Sequence, residues 1–220
     1  MFGNDNAETN GESTFFNDIK KHINVIFDVG CRSNSLFSNF EGEVHYFDPV
    51  TRYITDLKSQ PNINRKSYFN NFGLGNEEKQ LYYYPKYESF YNRIESCRIS
   101  DESNKILLQI KKAKDYMIEN NVKDIDFLKI DTEGYELQVL QGFEELLANV
   151  KLIQFEYGGT NIDNKIKLRD ITDYLTEKGF CNFSYLVNEG HVPITDFNDH
   201  FQYCNIICLN KNSKFASTPS

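Results

Sequence analysis

Tryptophan is absent from the 220 residues, methionine occurs twice and proline five times. The five cysteines, Cys31, Cys97, Cys181, Cys204 and Cys208, are odd in number and contain no C-x-x-C pair. Such scatter favours reduced thiols over a disulfide framework or a zinc centre. No apolar run approaches the roughly 18 residues that a membrane-crossing helix needs, and mean hydropathy is −0.57. The polar stretch Met1–Thr14 lacks the apolar centre of a secretion signal. Basic residues are also few: 24 Lys and Arg stand against 32 Asp and Glu, a net charge of −8, with a pI near 5.1. Binding along a nucleic-acid backbone needs a basic face, and the chain offers only short clusters such as Lys20-Lys21 and Lys111-Lys112-Ala113-Lys114. The expectation is a small or uncharged substrate, no nucleic-acid partner, no membrane span and a cytoplasmic location, the host cytoplasm for a viral source. No segment repeats with a period of roughly 20–50 residues, which excludes solenoids and propellers.

What the chain does contain is a short apolar run, a turn and a helical pattern, several times over. Val25–Val29, Val44–Phe47, Asp126–Ile130 and Leu152–Glu156 are nearly continuous apolar runs, as expected for strands covered on both faces. A helix is expected from about Tyr135 to Leu147, where Leu137, Leu140, Phe143 and Leu147 make one stripe. A second is expected over Lys167–Lys178, stopped by Gly179. Phe180–Val187 and Phe201–Leu209 read as two strands joined by a loop holding Gly190 and Pro193. Alternating strand and helix implies an α/β sheet with right-handed crossovers, here closed by an antiparallel pair. The division expected is a polar N-terminal segment and helix over 1–22, one domain over 23–212 and a flexible tail over 213–220.

Ligands of such sheets bind beyond the carboxyl ends of the strands. The first strand ends in Asp28-Val29-Gly30-Cys31-Arg32-Ser33-Asn34. Gly30 lets the backbone turn close to a ligand, and a following helix is expected to point its amides there. The second strand ends in Asp48-Pro49, with Asp48 placed 18 residues after Gly30. About 20 residues is the spacing at which a carboxylate can accept both hydroxyls of an adenosine ribose. Each feature alone is more often structural; together they favour a nucleoside-containing cofactor. A dinucleotide needs the fuller G-x-G-x-x-G loop to seat its pyrophosphate. A single glycine beside Asp28 suits the sulfonium cation of S-adenosylmethionine better. Asn71 and Phe72, after an expected third strand over Lys66–Phe69, could supply an amide and an apolar face for adenine; an ordinary turn is equally compatible.

The most specific segment is Asp126-Phe127-Leu128-Lys129-Ile130-Asp131-Thr132-Glu133-Gly134-Tyr135-Glu136. Phe127, Lys129 and Asp131 share one strand face by two-residue alternation. Asp131 then stands at the strand's end and Glu133 in the turn. Capping of the next helix would account for some of these carboxylates. It would not account for a lysine on a covered strand, which is costly unless paired, nor for three acids crowding one helix entrance.

With Val139-Leu140-Gln141-Gly142, this segment resembles the signature of FkbM-type methyltransferases. Phe27-Asp28-Val29-Gly30, Asp48-Pro49 and Phe155-Glu156 are similar to that family too, and the likeness runs from about Val25 to Leu209. The resemblance implies a class I, Rossmann-like methyltransferase with a mostly parallel seven-stranded sheet ending in an antiparallel strand pair. It implies an O-methyltransferase that uses S-adenosylmethionine and acts on a sugar hydroxyl of a glycan or glycoconjugate, a deoxysugar such as rhamnose among them. On this reading Asp28, Gly30 and Cys31 hold the methionine part of the cofactor, Asp48 its ribose, and Asn71 and Phe72 its adenine. Asp131 is the first candidate for the base that takes the acceptor's proton, with Glu133 and Glu156 next.

Asp131, Glu133 and Glu156 could also make an all-oxygen site for Mg²⁺ or Ca²⁺; a fixed base serves equally well, and metal dependence is not favoured. His22, on the N-terminal helix, and His45, in a strand, read as structural, whereas His191 or His200 could reach the site as an alternative base. The aromatic stretch from Leu81 through Tyr87, Phe90 and Tyr91 reads as a strand and packed loop, or as a platform for a sugar. Asn34, where the family carries a second glycine, motivates the alternative of a catalytically inactive binding module; a nicotinamide-dependent sugar oxidoreductase ranks third. The chain could also be one module of a larger glycan-synthesis enzyme.

Overall fold

Covered apolar runs become parallel strands because neither of their faces can be left to water. A computed structural model describes Gly3, residues 6–85, Phe90 and residues 105–213. In chain order these form α1 (Glu12–Ile19), β1 (Val25–Val29), β2 (Glu43–Phe47), α2 (Thr51–Lys58), β3 (Ser67–Asn70), β4 (Gly73–Gly75), β5 (Lys79–Tyr83), β6 (Ile106–Lys112) and α3 (Ala113–Glu119). There follow β7 (Ile125–Ile130), α4 (Glu136–Gln141), a 3-10 helix (Glu144–Asn149), β8 (Val150–Tyr157), α5 (Gly159–Asp163), α6 (Leu168–Glu177), β9 (Phe180–Val187), β10 (Gly190–Pro193) and β11 (Cys204–Asn210). Cys97, Tyr87 and Tyr91 lie outside the described residues.

The main sheet has the order β10-β9-β11-β8-β7-β1-β2-β3. β1, β2, β3, β7 and β8 run parallel, while β11 is antiparallel to both β8 and β9. The chain leaves β1 toward β2 and β3, then returns to the other side of β1 as β7. That reversal opens a crevice at the carboxyl ends of β1 and β7. A second sheet of order β4-β6-β5 stands beside it.

Two apolar cores flank the main sheet. Phe27 and Val29 face the larger one, with Leu128, Ile130, Val139, Phe143 and Leu175. Ile26, Cys31, Tyr46 and Phe127 face the smaller one, beneath Phe16 of α1. The alternation along β1 is therefore complete, and it sends Asp28 to the α1 side with Ile26.

The sheet is the expected one with an eighth strand: the loop holding Gly190 and Pro193 pairs antiparallel with β9 as β10. The third strand lies one residue later than expected, and the last begins at Cys204 rather than Phe201. The helix expected to Leu147 stops at Gln141. A Cβ at Gly142 would lie 2.0 Å from the Gly75 carbonyl oxygen, the Gly142 carbonyl accepts from the Lys114 amide, and Glu144 takes φ 52°. These tertiary contacts bend the chain into the 3-10 turn. His22 falls past the end of α1 rather than on it.

The largest departure follows β1, where no helix forms. Residues 31–40 run through bends and turns instead. Phe37 and Phe40 plunge against Phe16 at centroid distances of 4.9 and 5.9 Å, and the Ser35 hydroxyl donates to Asp28 at 2.6 Å. Burial of two rings so close to the strand outweighs any local helical preference.

Candidate functional site

At the crevice, β1 and β7 are drawn together at their tips. The Asp131 amide donates to the Val29 carbonyl at 2.9 Å. Gly30, with φ 82°, lies so near that a Cβ there would fall 1.8 Å from the Asp131 carbonyl oxygen. Only glycine fits such an approach at that backbone conformation. The Gly30 and Cys31 amides both donate to the Phe47 carbonyl, at 2.9 and 3.3 Å, which ties the turn to β2. The resulting cleft, open to solvent, is lined by Gly30, Asp48, Asp131, Thr132 and Glu133 among others.

Asp48 stands at the tip of β2 and is 4% exposed. Its Oδ1 accepts the Val50 amide at 2.9 Å and its Oδ2 the Arg32 amide at 3.2 Å. Burial pushes its carboxyl up to about 6, with the two amides pulling the other way. The carboxylate is thus fixed in direction and still borders the cleft.

Asp131 receives the Lys129 ammonium at 3.0 Å. Lys129 is paired in register with Asp28 of β1 and Gln154 of β8, and Glu12 of α1 lies 3.8 Å away. Burial would lower the Lys129 ammonium, but the surrounding carboxylates of Asp131, Glu12 and Asp28 hold it charged. Glu133 takes φ 54°, so the turn presents its side chain from a left-handed residue. Glu156 joins it from β8: one oxygen each of Asp131, Glu133 and Glu156 lies within 4.8 Å of the others. Burial, then the charges of Asp131 and Glu133, raise the Glu156 carboxyl well above the ordinary range.

The turn carrying these acids is clamped from below by Glu136. Its Oε1 accepts the Thr132 amide and hydroxyl at 2.9 and 3.0 Å and the Gly134 amide at 3.2 Å. Asn161 of α5 donates to Oε2 at 2.5 Å. Glu136 is therefore part of the scaffold, and the third acid of the crowded helix entrance is explained by its bracing of the turn before α4.

Of the residues singled out in the sequence, Gly30, Asp48, Asp131 and Glu133 line the cleft, and Glu156 adjoins them. Four do not reach its wall. Asp28 faces the α1 side, where burial raises its carboxyl to about 6 against the opposing pull of Lys129. The Cys31 side chain is buried in the smaller core. Asn71 is a brace: its amide donates to the Asp48 and Pro49 carbonyls, and its oxygen accepts from Thr51. Phe72 packs on Phe47 at 5.9 Å and under the Lys111 ammonium at 4.8 Å. Gly73 and Leu74 take its place on the wall. Neither His191 nor His200 is on the wall either; His200 packs against Tyr157 at 5.4 Å and bonds the Gln202 carbonyl at 2.8 Å. His45 is structural: it is held between Tyr116 and Glu43, each at 2.7 Å, and burial lowers it.

Tyr83 and Phe90 of the aromatic stretch also line the wall, and the structure adds Arg32, Tyr53 and Tyr135 to it. Arg32 was legible as a neighbour of Gly30. Tyr83 and Phe90 come from the second sheet and its connection, and no spacing relative to Gly30 or Asp48 announces them.

Comparison with known proteins agrees with the motifs. The family model described as Methyltransferase FkbM domain matches residues 18–181. No curated protein matches the chain. Among solved structures, the plantazolicin methyltransferase BpumL in complex with SAH shares 12% identity, with 93% of this chain and 82% of that one covered and a TM-score of 0.47. A SAM-dependent O-methyltransferase from Thermotoga maritima shares 12%, covering 90% of this chain and 64% of that one, TM-score 0.44. The magnesium protoporphyrin IX methyltransferase from Synechocystis PCC 6803 with bound SAH shares 10%, covering 91% and 83%, TM-score 0.40.

Proposed function

The chain belongs to the FkbM methyltransferase family, and from that premise we propose that it transfers a methyl group from S-adenosylmethionine to a hydroxyl of a sugar on a glycan or glycoconjugate. The observation that carries the reading is the placing of two acids on one cleft. Asp48 stands at the tip of β2, Asp131 at the tip of β7, and Gly30 lies between them. In this reading Asp48 accepts the ribose hydroxyls, the Gly30 turn passes beneath the methionine part, and the sulfonium lies toward the Asp131–Glu133–Glu156 group. Asp28 and Cys31 support that turn from the core side, and Asn71 fixes the carbonyls of Asp48 and Pro49.

The chemistry is an in-line displacement, in which most of the catalysis comes from holding oxygen, carbon and sulfur in line. As the acceptor oxygen bonds to the methyl carbon, the carbon–sulfur bond breaks and S-adenosylhomocysteine leaves. The hydroxyl proton passes to Asp131, which Lys129 orients through its 3.0 Å hydrogen bond. The ionised carboxylates of this wall accept hydrogen bonds, so they favour a substrate rich in hydroxyl donors and disfavour an anionic one. A cation held by Asp131, Glu133 and Glu156 is the competing use of the same oxygens, and methyl transfer that persists in a strong chelator argues against it.

Calorimetry with S-adenosylmethionine and a labelled-methyl transfer screen across neutral glycosides test the proposal. Asp131→Asn should keep cofactor binding and lose turnover. Undiminished turnover would remove Asp131 from its role, and no cofactor binding at millimolar concentration would favour an inactive binding module.

A further inference from the structure

We propose that Tyr83, carried on β5 of the second sheet, is a cofactor-binding residue that closes the adenosine end of the cleft over Asp48, together with Tyr53 of α2 and Arg32. The inference rests on the S-adenosylmethionine reading above and assigns the nucleoside a wall that the first sheet does not supply.

Four observations converge. Tyr83 is 6% exposed, yet it belongs to neither apolar core; what it lines is the cleft. Tyr53, Asp48 and Arg32 line the same cleft, and burial, with Tyr53 and Asp48 adding to it, pushes the Tyr83 phenol up. The Arg32 guanidinium lies over the Tyr53 ring at 6.0 Å from its centroid, and the Arg32 amide holds Asp48 at 3.2 Å. Finally, the aromatic wall continues toward Asp131: Tyr83 meets Phe90 at 5.8 Å and Phe90 meets Tyr135 at 5.6 Å.

A flat apolar ring with a polar tip is the surface that a nucleoside requires, since the base needs a face to lie on and the ribose needs hydrogen-bond partners. Asp48 can only accept such bonds when ionised, whereas the Tyr83 hydroxyl can also donate. The pair therefore offers complementary contacts to neighbouring oxygens of one ribose. Strand alternation explains why one tyrosine of the run is chosen: Tyr83 points inward, while Tyr82 is 49% exposed on the other face.

The test is calorimetric titration of S-adenosylmethionine and S-adenosylhomocysteine into the wild-type chain, Tyr83→Phe, Tyr83→Ala and Tyr82→Ala. Tyr83→Phe should weaken both ligands by roughly three- to tenfold, the scale of one neutral hydrogen bond. Tyr83→Ala should weaken them by roughly tenfold or more, as expected for removing an aromatic surface from a base. Tyr82→Ala, on the same strand, should bind as the wild type does. Unchanged affinity in folded Tyr83→Phe, or an equal loss in Tyr82→Ala, overturns the assignment. Tyr83→Phe keeps the ring and its packing, so the hydroxyl contact can be judged even where the alanine variant does not fold. Absence of binding by the wild type instead overturns the S-adenosylmethionine reading itself.

Discussion

Lys129 donates to Asp131 across 3.0 Å from two residues back on the same strand, while Asp28 stands beside it in register on β1. A single ammonium thus serves three carboxylates, Asp131, Glu12 and Asp28, and it holds together α1, β1 and the tip of β7. Removing it would leave buried anions without compensation. Lys129→Met should therefore destabilise the protein by about 3–5 kcal/mol, read by urea unfolding at pH 7. The loss should shrink as pH falls through about 6, where Asp28 takes a proton. A loss independent of pH would mean that Lys129 acts through packing alone.

Asp28 and Asp48 are both raised to about 6 by burial. For a carboxyl raised in the folded state, the stabilising contribution is full below its unfolded value near 4 and is lost as pH rises through about 6. These two groups should make the free protein less stable at pH 7 than at pH 5. Cofactor binding needs Asp48 ionised to accept ribose hydroxyls, so affinity for S-adenosylmethionine should tighten over the same interval. Calorimetry between pH 5 and pH 7.5 checks the direction; a flat profile would mean that Asp48 does not meet the ligand as an anion.

The close approach at Gly30 gives a sharper structural prediction. Gly30→Ala forces a Cβ to within 1.8 Å of the Asp131 carbonyl oxygen at φ 82°. The backbone conformation alone costs about 1–2 kcal/mol, and relief of the clash must separate the tips of β1 and β7. Thermal melting should fall and cofactor binding weaken together. A variant as stable as the parent would show that the two strand tips are not held as described.

Much of the fold could be read from the chain because its strands are covered on both faces. Val25–Val29 and Ile125–Ile130 are apolar apart from Asp28, Asp126 and Lys129, and such runs signal a covered strand whatever their neighbours. What could not be read arises from contacts distant in sequence. The missing helix after β1 follows from Phe37 and Phe40 seeking Phe16, a pairing that no local pattern encodes. The break at Gly142 is imposed by Gly75 and Lys114. In the site, Asp48, Asp131 and Glu133 were legible because they follow strands directly. The same logic points Asp28 and Cys31 at the cleft, yet their side chains lie off its wall, since alternation turns Asp28 to the α1 side and the bend carries Cys31 into a core. Tyr83 was legible only as one ring of an aromatic run, because the cleft it shares with Asp48 is formed by two different sheets.

The decisive measurement is a crystal structure with S-adenosylhomocysteine. The ribose oxygens should lie at hydrogen-bonding distance, about 2.6–3.2 Å, from the Asp48 carboxylate, with the sulfur directed toward Asp131 and the base against Tyr53 and Tyr83. A nucleoside bound away from the tips of β1 and β2, or an Asp48 still held only by the Val50 and Arg32 amides with the ligand present, would contradict it.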